Sequence, residues 1–109
     1  MYVVYSGITN ANYTSEDFIH ELSQIGNLVA VQAIRTDGTS DDTAKLEITI
    51  APSSSRVEEN WGDSGMGDFS DQNQFGFSTA INQAIRLKPD EGTWTLYVRE
   101  VANEVLEEA

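Results

Sequence analysis

The spacing of apolar positions changes period several times along the chain, and the changes mark its elements. Tyr2-Val3-Val4-Tyr5 is β-branched and aromatic and stops at Ser6-Gly7, which predicts a short first strand. Phe18, Ile19, Leu22 and Ile25 then recur at helical spacing, behind Thr14 as N-cap, Asp17 at the third helical position and Tyr13 as a hydrophobic staple onto Phe18. Gly26 stands where a left-handed residue closes such a helix. Leu28 to Ile34 is a near-continuous apolar run, the pattern of a central strand covered on much of both faces. Turn-forming residues fill positions 36–42, and Ala44 to Ile50 alternates with period two, which sends Leu46, Ile48 and Ile50 inward. After a Pro89-Asp90-Glu91-Gly92 turn, Thr93 to Arg99 is strongly β-prone, with Trp94, Leu96 and Val98 on one face.

Two stretches are less regular. Ser78 caps a second expected helix through Ile81, Ala84 and Ile85 that ends before Pro89, although Ile81, Gln83, Ile85 and Leu87 also fit the period of a strand. Val101, Val105 and Leu106 recur at helical spacing among glutamates and suggest an extra C-terminal helix. Pro52 to Phe77 follows neither period and reads as a long acidic and aromatic loop within a single domain spanning residues 1–109. The order is βαββ, long loop, αβ. It predicts an α+β, ferredoxin-like split βαβ fold, an antiparallel sheet with two helices on one face. A β-sandwich is the alternative if the Ile81 region is a strand.

The layout of Tyr2 to Ile50, with TSEDFIHELSQIG as first helix followed by NLVAVQAIR and a hairpin, resembles an RNA-recognition motif over less than half of the chain. That resemblance implies base stacking on strand aromatics within a basic surface. Here the third strand, Lys45 to Ile50, has no aromatic, and Phe75-Gly76-Phe77, similar to the core of the family's aromatic motif, follows the long loop. Gly92 to Val98 resembles a late strand of the β-sandwich modules found beside some secreted proteases, a fold that the helix read before it does not suit.

Charge changes the functional picture more than the fold. Eighteen acidic residues against six Lys and Arg give a formal net charge of -12, which repels phosphate backbones and anionic membranes and favours a basic partner. RNA binding is thereby excluded, and only the fold-level likeness to the RNA-recognition motif remains. The absence of cysteine removes disulfides, thiolate nucleophiles and cysteine-ligated metals. The first residues lack a basic region and apolar core of the kind that directs secretion, and no apolar run approaches the ~18 residues of a membrane span, so the expected location is the cytoplasm, or a virion.

Catalytic motifs are sparse. Gly62-Asp63-Ser64-Gly65 matches the serine loop of chymotrypsin-like proteases, but that family's histidine motif is missing. The single histidine, His20, points off the apolar face of the expected first helix and reads as solvated. No phosphate loop or dinucleotide fingerprint occurs. The expectation is a protein with no catalytic residues, metal or cofactor. Its working surface is the 52–77 segment, with Trp61, Met66, Phe69, Phe75 and Phe77 as interface anchors and Glu58, Glu59, Asp63, Asp68 and Asp71 as their rim. That describes a non-enzymatic interaction or assembly protein, such as a viral or mobile-element subunit, whose partner is another protein, itself or a basic protein. Two alternatives are an acidic nucleic-acid mimic that inhibits a basic protein, and a small metal-assisted enzyme on Asp63, Asp68 and Asp71.

Overall fold

Period-two alternation decides most of the architecture. The computed structural model describes residues 1–70 and 74–102; Asp71 and the tail after Ala102, where the C-terminal helix was expected, lie outside them. Eight strands form among the described residues: β1 (Tyr2–Ile8), β2 (His20–Glu21), β3 (Leu28–Asp37), β4 (Ala44–Thr49), β5 (Gly62–Phe69), β6 (Gln74–Ser78), β7 (Ala84–Pro89) and β8 (Thr93–Val101). They make two four-stranded sheets, ordered β1-β8-β3-β6 and β2-β7-β4-β5, with every pairing antiparallel. Helical structure among the described residues is confined to single 3-10 turns at Glu16–Phe18, Ser53–Ser55 and Glu58–Asn60. The ferredoxin-like α+β expectation is therefore corrected: a second sheet, and no pair of helices, covers the inner face of the first.

That inner face is the core. Val29, Val31 and Ala33 of β3 with Trp94, Leu96 and Val98 of β8 meet Leu46 of β4, Phe69 of β5 and Ile85 and Leu87 of β7, all at most 2% exposed. Burying each large side chain contributes roughly 1.5–3 kcal/mol. Trp94 does so without orphaning its indole, whose N–H donates to the Glu91 carbonyl at 2.9 Å.

Both expected helices fail for the same reason. At the first, Ser15 rather than Thr14 caps, accepting from the Asp17 N–H at 3.2 Å, and the turn ends at Phe18. The next residues extend as β2, pairing His20 with Ile85 and Glu21 with Ala84. Phe18, His20 and Leu22 also alternate, and the inward positions His20 and Leu22 are 3% and 7% exposed, whereas Ile25 of the helical stripe is 52% exposed. A helix of about a dozen residues is marginal in water, and β7 offers β2 a ladder. At the second, β7 takes the period-two reading: Ile85 and Leu87 are fully buried, and Ile81 lies outside the strand, 75% exposed. β4 ends at Thr49, which leaves Ile50 71% exposed instead of inward.

Pro52 to Phe77 is built rather than irregular. It contains two 3-10 turns, β5 and most of β6. Glycines conceal β5 in the sequence. Gly65 and Gly67 adopt φ of +79° and +92° inside the strand, where the β4–β5 register shifts between Lys45 and Glu47. That is a bulge, and left-handed residues there call for glycine.

Candidate interaction face

The outer face of the second sheet gathers several of the expected interface residues around Arg86. Arg86 is 2% exposed; its Nε donates to Glu47 Oε1 at 2.8 Å and its Nη atoms to both oxygens of Glu58. The guanidinium also lies 4.2 Å from the Trp61 ring centroid and 4.9 Å from that of Tyr13, and Arg56 approaches Trp61 at 5.4 Å. Burial works against the Arg86 charge, but its hydrogen bonds to Glu58 and Glu47 outweigh that and raise its pKa. The hydrogen bond from Arg86 likewise lowers the pKa of Glu58, against the opposing effect of burial. Trp61 thus lies against two arginines of its own chain and clamps the 53–61 segment onto β7.

The other expected anchors belong to the core. Phe69 is fully buried and meets Phe75 edge to face at 5.0 Å, while Met66, Phe75 and Phe77 are half-buried against the same cluster. Asp63 and Asp68 flank Lys45 at 3.7 and 3.9 Å, Glu59 is exposed, and Asp71 is outside the described residues. Among the described residues no three acidic or histidine side chains are gathered to hold a metal ion.

His20 corrects the expectation of a solvated side chain. It is buried between the sheets, with Nδ1 2.7 Å from the Tyr5 hydroxyl and Nε2 3.0 Å from Glu100 Oε1. Burial and the Glu100 and Glu21 charges raise the Tyr5 pKa, so the phenol keeps its proton. A carboxylate only accepts, so the Nε2–H donates to Glu100. Glu100 Oε2 accepts from the Ser23 N–H at 2.9 Å, the Ser23 hydroxyl at 2.6 Å and the Asn27 amide at 2.6 Å. Burial pushes the Glu100 carboxyl up, but the hydrogen bonds from Ser23, His20 and Asn27 prevail and hold it at about 2. Ser23 bonds the carboxylate instead of the imidazole, so neither nitrogen is placed to take its proton as a catalytic base. The network ties β1 and β8 of one sheet to β2 of the other.

A different surface stands out chemically, the outer face of β1-β8-β3-β6. Strand alternation sends Tyr2 and Val4, Leu28, Ala30, Gln32 and Ile34, Gly76 and Ser78, and Thr95, Tyr97, Arg99 and Val101 outward, with not one carboxylate among them. Tyr2 is 54% exposed, Val4 44%, Leu28 47% and Val101 50%. Arg99 lies over the Tyr2 ring at 5.0 Å and makes no ion pair among the described residues. Sequence reasoning did not single out this face. The signal was partly available: β3 is largely apolar at both alternating sets of positions, the pattern of a strand covered on both sides.

Among the described residues no helix is long and apolar enough to cross a membrane. Compared with known protein families, with curated proteins and with solved structures, the chain matches none.

Proposed function

We propose that this chain is a non-enzymatic protein–protein interaction or assembly module that docks through the outer face of β1-β8-β3-β6. The carrying observation is the chemistry of that face: in a chain with 18 acidic residues, the described residues put no carboxylate on this sheet surface and half expose Tyr2, Val4, Leu28 and Val101 on it. Contiguous exposed apolar surface is the usual mark of a contact site. The partner presents apolar side chains around an acidic group, because among the described residues the charge on the face is that of Arg99. Among the described residues a second copy packed face to face supplies no such carboxylate, which favours a different surface as the complement. The 52–77 aromatics serve the protein's own fold in this reading.

The test compares the wild-type chain with Leu28→Asp and Val4→Asp as baits in extract from the native source, with melting temperature as a folding control. One defined partner, retained by the wild type and by Lys45→Ala but lost from both Asp variants, supports the reading. A partner held equally by all baits overturns it. Binding that ignores the Asp substitutions but disappears in high salt and on charge reversal of Glu58, Glu59 and Asp63 favours the acidic nucleic-acid mimic instead.

A further inference from the structure

We propose that two copies of this chain associate edge to edge through β6, in an antiparallel pairing centred on Gly76 of each copy. An edge strand offers a row of unpaired backbone groups to any other strand, and proteins blunt such edges with bulges, charges, proline or brevity. Among the described residues the two sheets end on β1, β6, β2 and β5. Three of these edges are blunted. β2 has two residues, and β5 is bulged at the left-handed Gly65 and Gly67 and carries Asp63 and Asp68. The register of β1 breaks before Ile8 at the left-handed Gly7, whose carbonyl accepts from the Asn12 amide at 2.9 Å. β6, Gln74-Phe75-Gly76-Phe77-Ser78, has none of these devices: no charge, no proline, no left-handed residue, and a register with β3 that runs unbroken from end to end.

Hydrogen-bond alternation identifies the open groups of β6. The Thr79 N–H donates to the Asn27 carbonyl at 2.9 Å, and on the far side of the sheet Met1 and Glu100 exchange bonds at 2.9 and 2.8 Å. Counted along the registers from either end, Val29–Phe77 and Val31–Phe75 are the bonded pairs of β3 with β6, while Ala30 and Gln32 bond Arg99 and Tyr97 of β8. The backbone groups of Gln74, Gly76 and Ser78 therefore point away from β3, to the edge. A second β6 is the complement of that row. A two-fold axis at Gly76 sets Gly76 against its own copy and Gln74 against Ser78, so that open groups meet open groups in about six hydrogen bonds. The same axis sets Phe75 opposite Phe77 on the inner side, in the non-bonded pairs whose side chains approach within about 4.5–5.5 Å. Both rings are only half-buried by the chain's own core, and the pairing covers the flank left open. The outer face stays uncovered and becomes continuous across eight strands, so docking there is compatible with the pairing and independent of it.

The test is the mass of the full chain by sedimentation equilibrium, across protein concentration and at low and high salt. An edge contact this short buries less than the roughly 1,200 Å² of stable interfaces, so the dimer is expected to be half-formed only on the order of 100 μM. Two copies of net charge -12 repel, and screening by salt is expected to strengthen the dimer about threefold or more. Gly76→Asp and Gly76→Lys each set like charges face to face across the axis and are expected to weaken self-association about fivefold. Neither should lower the melting temperature, since Gly76 has no left-handed φ and a Cβ there meets nothing nearer than the Val29 carbonyl oxygen at 3.8 Å. An equal mixture of the two variants is expected to dimerise again. Amide exchange should slow with concentration at Gly76 and Ser78 and not at Phe75 and Phe77, which β3 already bonds. A chain that stays monomeric to about 1 mM overturns the proposal. Variants that dimerise as well as the wild type, or a mixture that stays monomeric, overturn the Gly76-centred register, and protection at Tyr2 and Val4 instead assigns the contact to β1 and overturns the β6 pairing. The bait experiment judges the outer-face docking separately in every case.

Discussion

Replacing Glu100 by glutamine tests the buried network that joins the two sheets. The carboxylate side chain is 1% exposed and its pKa is held at about 2 instead of the ordinary 4.5. A tenfold change in proton affinity corresponds to about 1.4 kcal/mol, so ionised Glu100 contributes on the order of 3 kcal/mol. Its folded pKa lies below its unfolded one. The contribution is therefore complete above about pH 4.5, shrinks as the pH falls, and is gone near pH 2. Glutamine keeps the shape and one acceptor but loses the charge that strengthens the bonds from Ser23, Asn27 and His20. Urea unfolding followed by tryptophan fluorescence at pH 7, 4.5, 3.5 and 2.5 is expected to show E100Q weaker by about 2–3 kcal/mol at pH 7, converging to within about 1 kcal/mol at pH 2.5. At neutral pH the loss corresponds to a fall in melting temperature of about 10–20 °C. Neutralisation of the other carboxylates affects both proteins alike and cancels in the difference. A gap that stays constant with pH, or one below about 0.5 kcal/mol at pH 7, refutes the assignment of the network as an ionised tie.

Arg86→Ala is expected to cost about 3–5 kcal/mol in chemical unfolding, because it strands Glu47 and removes the stack under Trp61, and Arg86→Lys to recover only part of that for want of the planar fork. Gly92→Ala is expected to cost more than about 2 kcal/mol, since at φ +85° its Cβ would stand 2.8 Å from the Asp37 carbonyl oxygen. Gly65→Ala, at φ +79° in open space, is expected to cost about 1 kcal/mol by the same thermal or urea measurement. Lys45→Ala removes contacts between groups about half exposed and is expected to change stability by no more than about 1 kcal/mol, the gap shrinking further in salt.

Within the proposed site, the row Tyr2, Arg99, Ala30 and Gly76 comes from four strands that are distant in sequence, and no local spacing relates them. The anchors expected between Pro52 and Phe77 were chosen for being large, apolar and aperiodic. Phe69 met the first two conditions because it is core, and the glycines that permit the β5 bulge removed the period that would have marked the strand. His20 was placed by an expected helix, so its burial was lost together with that helix.

β-prone residues, an apolar run and alternation in the amino-acid sequence by itself marked β1, β3, β4 and β8, the inner triad Trp94, Leu96 and Val98 and the acidic character of the whole, although β1 runs on through the expected stop at Ser6-Gly7 to Ile8. Those features depend on neighbours one to four residues away. Only the tertiary structure decided that His20–Glu21 and Ala84 to Pro89 form strands, because their strength as strands comes from each other and from β4, and not from local propensity. It also decided which apolar face is covered. Consecutive strands pair with each other only between β4 and β5, so each sheet is assembled from remote segments, and the exposed side of β1-β8-β3-β6 exists only once they are joined.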